Sequence, residues 1–136
     1  MKLTIISNCL FFEKQNLETK TMGLTKITAQ ITGLSSDKKK YEALFLVDTV
    51  AIDCLVPRKE LLKLGIKPEG KKVYELVEYE YGFAKIAFMG DKTVTQIIFG
   101  PDAADPILGC VALENTGIAV DPSTHSLKKL LAQPLK

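Results

Sequence analysis

Alternation of apolar and polar residues first becomes regular after Gly23, where Ile27, Ala29 and Ile31 fall on one face and Thr28 and Gln30 on the other. That period of two predicts a half-buried strand. A turn-rich cluster from Gly33 to Lys40 follows, and then Tyr41-Glu42-Ala43-Leu44-Phe45-Leu46-Val47, a run apolar on both faces that predicts a central strand covered on both sides. The run passes through Asp48-Thr49 into Ala51-Ile52-Asp53-Cys54-Leu55-Val56 and is closed by Pro57. A carboxylate thus stands at the end of a strand expected to be buried.

From Arg58 to Leu64 the leucines at 61, 62 and 64 and the stop at Gly65 predict a two-turn helix with a glycine just past its end. Lys71 to Phe99 reads as strand, with Val77, Tyr79 and Tyr81 alternating against Glu78 and Glu80 and a hairpin turn at Gly90-Asp91. Gly100 to Pro106 is a loop, Ile107-Leu108-Gly109 a short apolar strand, and Cys110 to Thr116 a second short helix ending at Gly117. Ile118 to Val120 and Ser126 to Lys128, joined through Asp121-Pro122, complete the pattern as a last strand pair. Many short strands with two brief helices predict an all-β domain, closed or nearly closed. The domain is expected over 22–136, with 1–21 as a flexible N-terminal extension, because Phe12 to Thr21 is polar and unpatterned.

Composition narrows the classes. At 136 residues and 46% hydrophobic the chain suffices for one core and not for two. Its 18 basic and 16 acidic residues are spread along the sequence and leave a net charge of +2, so nucleic acid is not an expected partner. The three cysteines, Cys9, Cys54 and Cys110, lack the spacing of a metal knuckle or disulfide framework, and are read as free thiols of a cytoplasmic protein. The apolar stretch Leu3 to Phe12 carries Ser7 and Asn8 without a small-residue cleavage site, and no run approaches the roughly 20 apolar residues of a membrane-spanning helix. No membrane association is expected.

Phe45-Leu46-Val47-Asp48-Thr49 delivers an acid and a hydroxyl together at a strand end, and Ile107-Leu108-Gly109 precedes a short helix later in the chain. In this combination and order the chain resembles the retropepsin-like clan of aspartic proteases, over about Gly23 to Lys129. Phe99-Gly100-Pro101-Asp102, Ala112-Leu113-Glu114 and Gly117 to Pro122 resemble small microbial members of that clan. The resemblance implies an acid-protease half-barrel of obligate-dimer type. It further implies an aspartic endopeptidase, active as a homodimer on a peptide or protein substrate, with no cofactor and no metal. Asp48 would pair with Asp48 of a second copy, since two carboxylates held about 3 Å apart cannot both ionise and together serve as general base and general acid toward a water. Thr49 matches the hydroxyl that crosses to the partner's backbone in the family. Val50 and Ala51 continue the motif, and Ile107, Leu108 and Gly109 match the strand that packs behind the catalytic loop.

Two departures from the family pattern bear on activity. Val50 occupies the glycine position of Asp-Thr-Gly, where a β-branched side chain fills space and restricts the backbone. The flap, a hairpin that closes over substrate in relatives, reads as shortened or missing, because Val73 to Tyr81 offers no turn chemistry before Gly82. These departures define an alternative: a catalytically impaired protease-like dimer acting as a peptide- or protein-binding module. Taken alone, Asp48 is an ordinary turn residue. Asp53, Asp102 and Asp105 are solvated turn residues without the spacing of a metal loop, and Cys54 and Cys110 are small core residues.

Overall fold

The computed structural model describes residues 25–130, together with the backbone of strands β1 (Leu3–Ile6) and β2 (Cys9–Phe12), which pair antiparallel. The expected extension over 1–21 otherwise lies outside the described residues.

Seven strands form the main sheet. They are β3 (Lys26–Thr32), β4 (Lys40–Val47), β5 (Cys54–Pro57), β6 (Gly70–Tyr74), β7 (Val77–Phe88), β8 (Asp91–Gly100) and β9 (Ile107–Leu108). Their order is β3-β4-β9-β5-β8-β7-β6, and β3 also pairs with β7 at Gln30 to Thr32. That last pairing closes six strands into a barrel. Strand β6 stays outside the ring, held among the described residues by backbone pairing only to Val77–Tyr81 of β7. Helix α1 (Arg58–Lys63) follows β5 directly, helix α2 (Cys110–Thr116) follows β9, and β10 (Ile118–Asp121) pairs with β11 (Ser126–Lys129). None of the described helices is long and apolar enough to cross a membrane.

The period-two pattern accounts for the core. Ala29 and Ile31 of β3, Phe45 of β4, Cys54 and Val56 of β5, Ala84, Ile86 and Phe88 of β7, and Ile97 and Phe99 of β8 all point into the barrel. Leu61 of α1 and Ala112 and Leu113 of α2 belong to the same buried cluster. Each fully buried aliphatic or aromatic side chain contributes ~1.5–3 kcal/mol of transfer free energy. Both helices stop at glycines in the left-handed region, Gly65 and Gly117, as their positions in the sequence predict.

Three expectations need correction. Strand β4 is not covered on both sides: Phe45 is buried but Leu44 is 55% exposed, because a barrel wall buries only its inner face in a single chain. The β7–β8 turn is centred on Met89-Gly90, both at positive φ, one residue earlier than expected. A hairpin does stand where turn chemistry was absent, with β6 and β7 joined through Glu75-Leu76 at φ 48° and 70°. Gly82 instead lies within β7, buried against the Phe99 ring.

Candidate active site

Strand β4 ends at Val47, and the chain turns sharply at once. The Ala51 amide donates to the Asp48 carbonyl at 3.2 Å, and the Val50 amide donates to Asp48 Oδ1 at 3.0 Å. The second bond is the local side-chain turn that Asp favours. Asp48 Oδ2 and the Thr49 hydroxyl have no hydrogen-bond partner among the described residues.

This turn is fastened from behind by β9 and α2. Strand β9 runs parallel to β4, with Leu46 opposite Ile107 and Val47 opposite Leu108, and the Asp48 amide donates to the Leu108 carbonyl at 3.0 Å. The first amides of α2 would lack partners inside so short a helix. They find them in the loop: Cys110 donates to the Ala51 carbonyl at 2.8 Å and Val111 to the Ile52 carbonyl at 3.1 Å. Gly109 sits between these contacts, so close that a Cβ there would lie 2.5 Å from Asp53 carbonyl atoms and 2.7 Å from the Ile52 oxygen. Its φ of −87° suits any residue, so the glycine answers a need for space. The structure therefore brings Asp48, Thr49, Val50 and Ala51 together with Ile107, Leu108 and Gly109.

Val50 is 62% exposed and its φ is not positive, so the turn accepts a β-branched residue without backbone strain. The dihedral objection drawn from the sequence does not apply; the added volume remains. Ile52 is also exposed, which leaves two apolar side chains on the open surface of the Asp48 loop.

A second carboxylate, read from the sequence as a solvated turn residue, is instead nearly buried and bonded. Asp53, five positions after Asp48, is only 8% exposed at its side chain. Its Oδ2 accepts from the Tyr74 hydroxyl at 2.6 Å and from Gln96 Nε2 at 2.9 Å, with Lys72 Nζ 3.9 Å away. Burial and the bond to this carboxylate raise the Tyr74 hydroxyl well above the usual phenol range. The one available signal was a lone Asp in an otherwise apolar run. Asp102, by contrast, accepts from the first-turn amide of Lys59 at 3.0 Å and so caps α1 from across the molecule. Among the described residues, no group of three His, Cys, Asp or Glu side chains is placed to hold a metal ion.

Beneath the loop lie two buried thiols. Cys54 Sγ accepts from the Gly109 amide at 3.5 Å, and burial pushes the Cys54 thiol up to about 12.

No protein-family model matches the chain, and no curated protein matches it. Solved structures do. A retropepsin-like aspartic protease from Rickettsia conorii superposes with a TM-score of 0.56 at 22% identity, over 74% of this chain and 78% of that one. The EIAV protease, solved with the inhibitor HBY-793, gives 0.51 at 17% identity over 70% and 89%. The foamy viral protease-reverse transcriptase, solved with an RNA/DNA hybrid, gives 0.53 at 16% identity, covering 83% of this chain and 13% of the viral one. The chain has the retropepsin-like all-β fold.

Proposed function

We propose that two copies of this chain pair about a two-fold axis that brings their Asp48 carboxylates together, and that the pair hydrolyses peptide bonds through an activated water. The observation that carries this reading is the Asp48 turn, fastened by β9 and α2 in the fold of aspartic proteases, with one carboxylate oxygen unpartnered among the described residues. One chain supplies one such acid, so a shared proton requires a second copy. The Thr49 hydroxyl, unpartnered among the described residues, and the exposed Val50 and Ile52 beside Asp48 fit a face that a second copy covers.

In this reading one Asp48, ionised, draws a proton from the water as it attacks the peptide carbonyl, while the other, protonated, donates to the developing oxyanion. The rate should then follow a bell-shaped pH profile on the acidic side of neutrality. Activity against a peptide library, inhibition by a statine-type transition-state analogue and loss of both in Asp48→Asn are the expected results. Cleavage that persists in Asp48→Asn would remove this acid from the mechanism.

A second reading rests on Val50. Its exposed isopropyl group occupies space beside the acid, and a dimer that binds peptide without cleaving it follows if that volume keeps the scissile bond from the carboxylates. Inert wild type and active Val50→Gly would select this reading; a fully active wild type would dismiss it.

A further inference from the structure

Strand β6 is an outer arm, and among the described residues its backbone pairs with no element except the first five residues of β7. Such a two-stranded projection is marginal by itself. The exposed ion pair across it, Lys71 to Glu78 at 3.7 Å, adds little. At its tip two non-glycine residues occupy the left-handed region, and Leu76 is 97% exposed, so none of the described residues covers its side chain. Yet the last residue of β6 before that turn, Tyr74, ends in the short bond to Asp53. The same carboxylate takes Gln96 of β8 and lies near Lys72 of β6. Asp53 is thus a nearly buried carboxylate that ties the outer end of the hairpin arm to the place where β5, the continuation of the Asp48 segment, pairs with β8 of the barrel wall.

We propose that Asp53 is a positioning residue, a latch that holds the tip of the β6–β7 hairpin against the Asp48 segment and makes the hairpin a fixed wall rather than a hinged lid. The placement matters mechanically. An anchor at residue 74 acts at the far end of the arm, where opening displaces atoms most. An anchor at the base would leave the tip to swing. Hydrogen bonds to an ionised group are the strong ones, and withdrawing Tyr74 would leave a carboxylate with little water to replace it. At the base, Arg58 at the start of α1 pairs with Glu80 of β7, which fixes where the hairpin leaves the barrel but not where it ends. The latch itself needs no catalysis; its role in shaping a substrate cleft rests on the reading proposed above.

Hydrogen exchange on the full chain tests this without any cleavage assay. In Tyr74→Phe, amides of residues 71–80 should exchange about tenfold to a hundredfold faster than in wild type, the range that loss of a charge-assisted bond allows. Amides of β8 and of the barrel part of β7 should be unchanged. Asp53→Asn should act in the same way, and should also lower the pH at which Tyr74 ionises part of the way, since burial still raises it, when absorbance near 295 nm is followed against pH. Lys71→Ala, which breaks only the exposed pair, should leave hairpin exchange at the wild-type rate. Hairpin exchange within about twofold of wild type in Tyr74→Phe, or an equal rise in hairpin and barrel, would overturn the latch. An inactive protein with the localised rise would instead retain the latch and count against hydrolysis.

Discussion

Replacing Gly109 by alanine should loosen the Asp48 loop from its support, and the size of the effect follows from three contacts. The new Cβ would meet the Asp53 carbonyl carbon and oxygen at 2.5 Å each and the Ile52 oxygen at 2.7 Å. All three are backbone atoms of the loop, so no side-chain rotation relieves the overlap, and van der Waals contact demands a shift of nearly 1 Å. Overpacking of this kind costs ~1–3 kcal/mol. Alanine at the N-cap of α2 is also a poorer cap than glycine, which adds ~0.5 kcal/mol. A loss of about 3 kcal/mol should appear in urea unfolding, and for a chain of this length it lowers Tm by roughly 10 °C. Gly109→Ser separates the two causes, since serine restores the cap but keeps the Cβ. If space is the cause, serine should be nearly as damaging as alanine. A serine variant as stable as wild type would refute the steric argument and leave only the cap.

Other expectations test separate parts of the structure. Phe45→Ala should cost ~3–5 kcal/mol in urea unfolding, because Phe45 is fully buried at the centre of β4. Glu75→Asn with Leu76→Gly, which supplies the residues favoured in a two-residue turn with both φ positive, should raise stability by ~1 kcal/mol without loss of burial, read as a higher urea midpoint. The Cys54 thiol, raised by burial from 9.0 to about 12, should resist iodoacetamide at pH 8.5 until urea opens the barrel; since its folded value is the higher one, its contribution to stability is complete below about pH 9 and is lost as pH rises toward 12. Lys128 and Ser123 hold the Asp121 carboxyl below the usual carboxylate range, so its contribution is present above the unfolded value near ~3.9 and is lost as pH falls through the folded one, which carboxylate titration by NMR would follow.

Legibility in the sequence followed the strength of local chemistry. Strand β3, both helices with their glycine stops, and the β10–β11 pair were readable because each carries its own period and its own punctuation. The Asp48 turn was readable for a different reason, since an acid and a hydroxyl at a strand end followed by Ile107-Leu108-Gly109 form a pair of motifs in a fixed order. The β6–β7 hairpin was missed because its turn uses Glu75-Leu76, residues with no preference for positive φ, so the strand pairing imposes a conformation that the residues do not announce. Asp53 was misread because its partners stand 21 and 43 positions away along the chain. No local pattern reports a bond of that kind.

Val50 shows where local and global requirements part. The turn at Asp48 needs an amide at position 50 to hold Oδ1, and any residue but proline supplies it. It does not need a positive φ there, so glycine is not a folding requirement of the loop. Valine therefore leaves the carboxylate where the fold puts it and changes only the space in front of it. A fault confined to volume is reversible by one substitution, whereas a fault in the support would not be. Under the proposed hydrolytic reading, the response to Val50→Gly consequently reports on the space before Asp48 and the response to Gly109→Ala on the scaffold: the first should change turnover with little change in stability, and the second should change both together.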